Sequence, residues 1–180
     1  MIGAAILMAR ANGLSFRTFS DKLIQMCINN ETSFGTGVAA AALGKQHPSG
    51  AWICEPVLAN VTKVHTAILP YETKRIAQDI SGGIAETGCM PSSRDFYDER
   101  HGHLVQKYLK AACSAETRAR TARLVEWLTV GAGIPGCLHG GGSPEGAKVV
   151  IRANAGLERF VALAKRLADI EEDVPEPTKK

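Results

Sequence analysis

Apolar residues recur at three-to-four spacing through most of the chain, and stretches rich in Gly, Pro and Ser separate these segments. No period-two alternation is long enough to build a sheet, so the pattern predicts an all-α protein, a helical bundle. A first segment reaches Ala11 and closes at Asn12-Gly13, where a left-handed residue can end a helix. Ser20 can cap a long helix that carries Leu23, Met26, Cys27 and Asn30 on neighbouring turns and continues through the Ala39 to Ala42 run. Gly35 and Gly37 interrupt it at about 1 kcal/mol each relative to Ala, which predicts that another backbone or a ligand comes close there.

Lys45 to Gly50 reads as a turn, and Pro56 starts the next helix, with Val57, Val61 and Val64 or His65 on one stripe. Pro70 opens a segment that places Ile76 and Ile80 four apart and stops at Gly82-Gly83. Residues 84–100 read as a long loop, of a length that in a compact domain either crosses to a partner or covers a site. A short helix follows over His103 to Ala112. Ser114, with Glu116 in the first turn, begins a helix that sets Leu124, Trp127, Leu128 and Gly131 on one face, and Pro135 ends or bends it. The clearest start in the chain is Ser143-Pro144-Glu145, for a last helix running to about Ile170 with Val149, Ala153, Gly156, Phe160, Ala164 and Leu167 at helical spacing. Residues 1–170 thus form a single helical-bundle domain, and 171–180, polar and with two prolines, a disordered tail.

Composition narrows the partners. With 180 residues, 45 % hydrophobic and 22 % charged, the chain can bury a core as one domain. A net charge of +3, scattered in both signs, argues against nucleic acid or an anionic membrane surface as partner. Met1 to Ala11 lacks the basic start of a secretion signal and is closed by Arg10, and no window holds the roughly 18 uninterrupted apolar residues of a membrane span. Five widely spaced cysteines, Cys27, Cys54, Cys89, Cys113 and Cys137, do not form a secreted disulfide framework and fit a reducing cytoplasm.

The main chemical feature is His139-Gly140-Gly141-Gly142-Ser143-Pro144, a glycine run ending on a helix N-terminus. Unpaired N–H groups and the positive end of the helix dipole there suit an anion such as a phosphate; the same residues are also what a permissive loop before a capped helix needs. Gly82-Gly83 invites the same reading more weakly, since a Gly pair after a helix is ordinarily a C-cap. His47 and Cys54 are separated by turn residues and have no further Cys or His nearby, so no metal is assigned to them. His101 and His103, with Asp95, Asp98 and Glu99, read as solvated surface charge. Asn29, Asn30 and Glu31, set in an apolar helix, belong either to a buried hydrogen-bond network or to the wall of a cofactor site.

Asn30-Glu31-Thr32, Ala59-Asn60-Val61 with Lys63, Pro70-Tyr71-Glu72, Asp79-Ile80-Ser81-Gly82-Gly83 and His139 to Glu145 occur in order over Ile2 to Ile170. In these the chain resembles the C-terminal part of the family of 4-hydroxybutyryl-CoA dehydratase and 4-hydroxyphenylacetate 3-hydroxylase, whose fold is like that of acyl-CoA dehydrogenase. The resemblance implies a C-terminal helical bundle that completes an FAD site, with His139, Gly140, Gly141, Gly142, Ser143, Gly82 and Gly83 as the matching cofactor-binding positions. It also implies that the iron–sulfur ligands of the dehydratase lie upstream of the matched region, leaving none in this chain. Where the dehydratase places a catalytic glutamate, this sequence has Gly136-Cys137-Leu138, and no catalytic residue is assigned. The implied partners are an N-terminal chain supplying the other domains and further copies of this chain, through helix faces near Phe160 and Leu167 or near Ala39 to Ala42. The contrasting expectation is a divergent helical oligomerisation module that binds no flavin.

Overall fold

The computed structural model describes residues 1–131, 133, 136 and 138–175. Its first helix, α1 (Ile2–Ala11), turns at Gly13, whose φ of 82° lies in the left-handed region expected of that glycine. A 3₁₀ turn, Phe16–Phe19, capped by the Ser15 hydroxyl, leads directly into α2 (Ser20–Ala42), so Ser20 opens the long helix without capping it. Gly35 and Gly37 do not interrupt α2. At Gly37 the Thr62 side chain packs within ordinary contact of where a Cβ would stand, whereas Gly35 faces open space. The buried face of α2 is Leu23, Met26, Asn29 and Ala40; Cys27 and Asn30 lie outside it, one position off the predicted stripe.

A short antiparallel hairpin, β1 (Lys45–Gln46) with β2 (Trp52–Ile53), replaces the simple turn, pairing Lys45 with Ile53 and Gln46 with Trp52. Strands of two residues are too short to show alternation, and this pair is held by tertiary contact: Trp52 Nε1 donates to Ala41 O at 2.9 Å on the end of α2. Then come α3 (Pro56–Thr66), capped by the Glu55 carboxylate on Leu58 N–H at 2.7 Å, and α4 (Leu69–Ser81), in which Pro70 stands in the first turn and Gly82, at φ 79°, closes the end.

Residues 84–100 are not one loop. They hold α5 (Gly83–Glu86) and α6 (Ser93–Phe96), the latter with a reciprocal Ser92/Asp95 capping box, and they send Met90 and Phe96 into the core. After α7 (Gly102–Leu109), α8 (Ala115–Thr129) starts at the predicted Ser114 cap. It buries Thr121, Ala122 and Val125, while Leu124 and Trp127 face outward, contrary to the predicted face. Pro135 lies outside the described residues. The last predicted helix is two, α9 (Pro144–Asn154) and α10 (Glu158–Leu167), because Gly156 takes φ 57° between them. Residues 171–175 follow without regular structure, and the remainder of the predicted tail is outside the described residues.

Helix α1 joins two apolar clusters. One gathers Ala4 and Met8 with Ala85, Met90, Phe96, Leu109, Ala122 and Val125; the other gathers Ala5 and Ala9 with Leu23, Met26, Ile76, Ala77 and Ile80. The small alanines of α1 let α8 approach it on one side and α4 on the other. Beyond these cores α3 packs on α2, and α9 packs on the far side of α3. This places the glycine loop before α9 beside α3. Among the described residues no helix is long and apolar enough to cross a membrane.

Candidate functional site

The glycine run becomes a loop with a defined shape. Gly141 and Gly142 take φ of 74° and 100°, a region open to glycine and unfavourable for side chains with a Cβ. Gly142 N–H donates to His139 O at 3.2 Å, and the Ser143 hydroxyl caps α9 by accepting Gly146 N–H at 2.9 Å. The N–H groups of Gly141, Ser143 and Glu145 meet no acceptor among the described residues and lie on an exposed surface at the positive end of an eleven-residue helix. That arrangement fits an anionic oxygen. His139, also exposed, stands at the entry to the loop.

Lys63, on α3, anchors the segment: its ammonium donates to Leu138 O at 2.8 Å and to Gly140 O at 2.7 Å. Two carbonyls held by one cation turn their N–H neighbours outward and place a positive charge behind the loop. Leu138 then reaches the first turns of α4, where it borders an open depression of about 530 Å³ with Ile68, Tyr71, Glu72 and Arg75. Arg75 forms a two-pronged pair with Glu72, at 2.7 and 3.0 Å, which holds the Glu72 carboxyl below its ordinary range. In the sequence Lys63 and Tyr71 stand within short family-like motifs that imply no role for either. Their convergence on Leu138 depends on the glycine-loop segment returning to α3 and α4 from seventy-five residues beyond Lys63, which no local pattern encodes.

Gly82 and Gly83 are exposed at the other end of α4, more than ten residues along the helix from Tyr71, or roughly 15 Å at 1.5 Å per residue. Within one chain the structure therefore does not bring the two glycine segments together. Gly82 performs the C-capping turn, and Gly83 begins α5.

The other singled-out residues resolve into local structure. Asn29 is buried and accepts from Gln25 at 2.9 Å while donating to Thr73 at 3.3 Å, a network between α2 and α4; Asn30 and Glu31 are exposed and bonded to each other at 2.9 Å. His47 and Ser49 close the hairpin turn through a 2.9 Å side-chain contact. Asp98 accepts the N–H groups of His101 and Arg100, which draw its pKa down, and its carboxylate also meets His101 Nδ1 at 2.9 Å. Asp95 is likewise lowered, first by the Ser92 hydroxyl. These acids are turn and cap residues, and among the described residues no group of three or more His, Cys, Asp and Glu could hold a metal ion.

A second cavity, about 370 Å³ and open to solvent, lies between Met90, Pro91, Phe96 and Tyr97 of the 84–100 segment on one side and Arg120 and Arg123 of α8 on the other. Arg123 closes its base by donating to Met90 O at 2.7 Å and Pro91 O at 3.2 Å while pairing with Glu126 at 2.6 Å.

Comparison with known proteins agrees with this architecture. A family model described as the C-terminal part of 4-hydroxyphenylacetate 3-hydroxylase matches residues 1–169. The 4-hydroxybutyryl-CoA dehydratase/vinylacetyl-CoA-Δ-isomerase of Clostridium aminobutyricum is 36 % identical over 185 residues, covering 94 % of this chain and 37 % of that protein. The solved oxygen-tolerant archaeal 4-hydroxybutyryl-CoA dehydratase from N. maritimus superposes with a TM-score of 0.89 at 36 % identity, over 99 % of this chain and 37 % of the other. The oxygenase component of 4-hydroxyphenylacetate 3-monooxygenase superposes with a TM-score of 0.74 at 20 % identity, a likeness of fold. The chain thus spans little more than a third of the length of these relatives.

Proposed function

This chain belongs to the 4-hydroxyphenylacetate 3-hydroxylase C-terminal family, and from that premise we propose that it is the FAD-contacting helical domain of a flavin-dependent enzyme of the 4-hydroxybutyryl-CoA dehydratase type. Its N-terminal and middle domains come from the rest of a longer polypeptide or from a partner chain. The share of the relatives that the chain spans supports this reading, and the higher identity to the dehydratases favours them over the hydroxylase, 36 % against 20 %. Residues 1–170 act as one domain, in the cytoplasm, within a homo-oligomer.

One observation carries the flavin assignment: the Lys63-anchored glycine loop presents outward N–H groups at the start of α9. FAD supplies redox chemistry at its ring system and carries a pyrophosphate, the part these residues would hold. In that role Gly141, Ser143 and Glu145 offer backbone donors, Gly142 shapes the turn through its bond to His139 O, Gly140 positions the loop through its bond to Lys63, and His139 flanks the anion. Gly82-Gly83, at the far end of α4, would meet a different part of the cofactor or the cofactor of a neighbouring subunit. Catalytic groups are supplied by the other domains.

The test is titration of the purified chain with FAD, followed by flavin fluorescence. The lone chain purifies colourless and quenches FAD saturably at high micromolar to millimolar concentration; ADP competes, riboflavin binds more weakly, and Gly141→Val or Lys63→Met weakens binding about tenfold, the equivalent of ~1.4 kcal/mol. Binding that is absent, or unaltered by these changes, would overturn the assignment. Tight stoichiometric FAD on the lone chain would contradict the sharing of the site with other domains. The sequence Gly136-Cys137-Leu138, standing where the dehydratase has its glutamate, favours as second reading a non-catalytic oligomerisation module, for which no flavin is quenched.

A further inference from the structure

The cavity between the 84–100 segment and α8 shares no residue with the glycine loop or with the depression beside it, so what it holds is independent of the flavin reading. Its volume, about 370 Å³, falls at the small end of ligand pockets, which run from about 300 to 1,000 Å³. That is room for a molecule of amino-acid size and too little for a dinucleotide.

The walls are preorganised. Met90 and Phe96, 5 % and 7 % exposed, are fixed by the core they enter, and Ala119 of α8 adds a further apolar patch. The Tyr97 ring meets Phe96 edge-on, with centroids 4.9 Å apart and planes at 72°. The Ser92/Asp95 capping box shapes the segment, and Arg123 ties it to α8 through Met90 O and Pro91 O. A surface of aromatic rings and a thioether receives a further ring or a long aliphatic chain in defined orientations.

The mouth carries opposite charges. Glu116 and Arg120, one turn apart on α8, border the same cavity and pair at 2.7 Å. That bond uses one oxygen of Glu116 and one nitrogen of Arg120, and among the described residues neither side chain meets a further partner. An open carboxylate oxygen and open guanidinium N–H groups therefore stand side by side at the rim of an apolar hollow. Arg123, the other cation of the lining, is already committed to Glu126 and to the two carbonyls.

This pairing selects among ligands. A simple acid would reach Arg120 but set its carboxylate against that of Glu116, and a simple amine would reach Glu116 but meet the guanidinium. A zwitterion satisfies both, with a charge-assisted bond at each end. The geometry points to a site for a free α-amino acid with an aromatic or long aliphatic side chain. Its carboxylate lies on Arg120, its ammonium on Glu116, and its side chain among Met90, Phe96 and Tyr97. Because the cavity has one wall on the 84–100 segment and the other on α8, a bound amino acid joins the two and stabilises the fold.

Calorimetric titration of the whole chain with L-phenylalanine tests this. One saturable site is expected, with a Kd of about 0.1–1 mM. At ten times that concentration the melting temperature should rise by about 3–5 °C. Phenylacetate and phenethylamine each lack one of the two charges and should bind at least about fivefold more weakly; glycine, without the side chain, should give no heat. Arg120→Gln and Glu116→Gln should each weaken L-phenylalanine about three- to tenfold. Both side chains are exposed, 79 % and 52 %, so circular dichroism of the variants should match the parent. No heat from L-phenylalanine at about 20 mM, phenylacetate bound as tightly as the amino acid, or an unaltered Kd in either variant would refute the assignment.

Discussion

Replacing Arg118 by Met should loosen the junction of three helices. Arg118 projects from α8 and is partly buried; its Nε donates to Asn12 Oδ1 at 2.9 Å and its Nη1 to Leu109 O at 3.1 Å. Asn12 follows the last turn of α1, and Leu109, 2 % exposed, ends α7, so one guanidinium meets the negative ends of two helix dipoles. A hydrogen bond from a charged donor contributes about 1.5–3 kcal/mol when buried, and partial exposure brings each bond here to about 1 kcal/mol. Favourable dipole interaction adds about 0.5 kcal/mol, so Arg118→Met, which keeps the aliphatic stem, should lower stability by about 2–3 kcal/mol. Urea unfolding followed at 222 nm measures this as a midpoint lowered by about 1 M for a slope near 2 kcal/mol per molar. Arg118→Lys keeps the charge but not the fork, and should lose about half as much. Asn12→Ala alone should cost about 1 kcal/mol, and the double mutant should reveal a coupling of about 0.5–1.5 kcal/mol. Arg118→Met within about 0.5 kcal/mol of the parent, or a coupling of zero, would show that these bonds do not hold the junction.

Packing and pH give further checks. Gly102→Ala should destabilise by about 1–3 kcal/mol, because the added Cβ would stand 2.8 Å from Phe96 O and 3.2 Å from Tyr97 C, both backbone atoms; an unchanged melting temperature would contradict that crowding. Asp98 and Asp95 are held below the ordinary aspartate pKa by N–H and hydroxyl donors, so both favour the folded state above about pH 4, and that contribution disappears as pH falls through their folded values. Melting between pH 6 and 2.5 should show a shallower acid limb for Asp98→Asn than for the parent, and identical limbs would refute the linkage.

Local signals determined the termini of several elements. Gly13, the Ser114 cap, Pro56 at a helix start and the Ser143-Pro144 start act through backbone geometry and nearest hydrogen bonds, so they function wherever the chain goes. The all-α class was legible for the same reason, as helical periodicity is a property of neighbouring turns. The glycine loop before a capped helix was legible in the same way, and the order of short motifs pointed to the family.

Tertiary structure decided what pairs with what. The burial of Val125 in place of Trp127 and of Asn29 in place of Asn30 depends on which neighbour a face meets, and Thr73, the partner of Asn29, lies forty-four residues away. The loop over 84–100 folds because Met90 and Phe96 find a core built by α1, α7 and α8, and Arg123 fastens it from thirty-three residues downstream. Lys63 reaches the glycine loop across seventy-seven residues, and Gly82-Gly83 ends up at the wrong end of α4 to join it. Sequence periodicity specifies which residues leave water, but the direction in which a half-apolar helix turns, and the carbonyl that a long cation finds, are set by the helices brought against it.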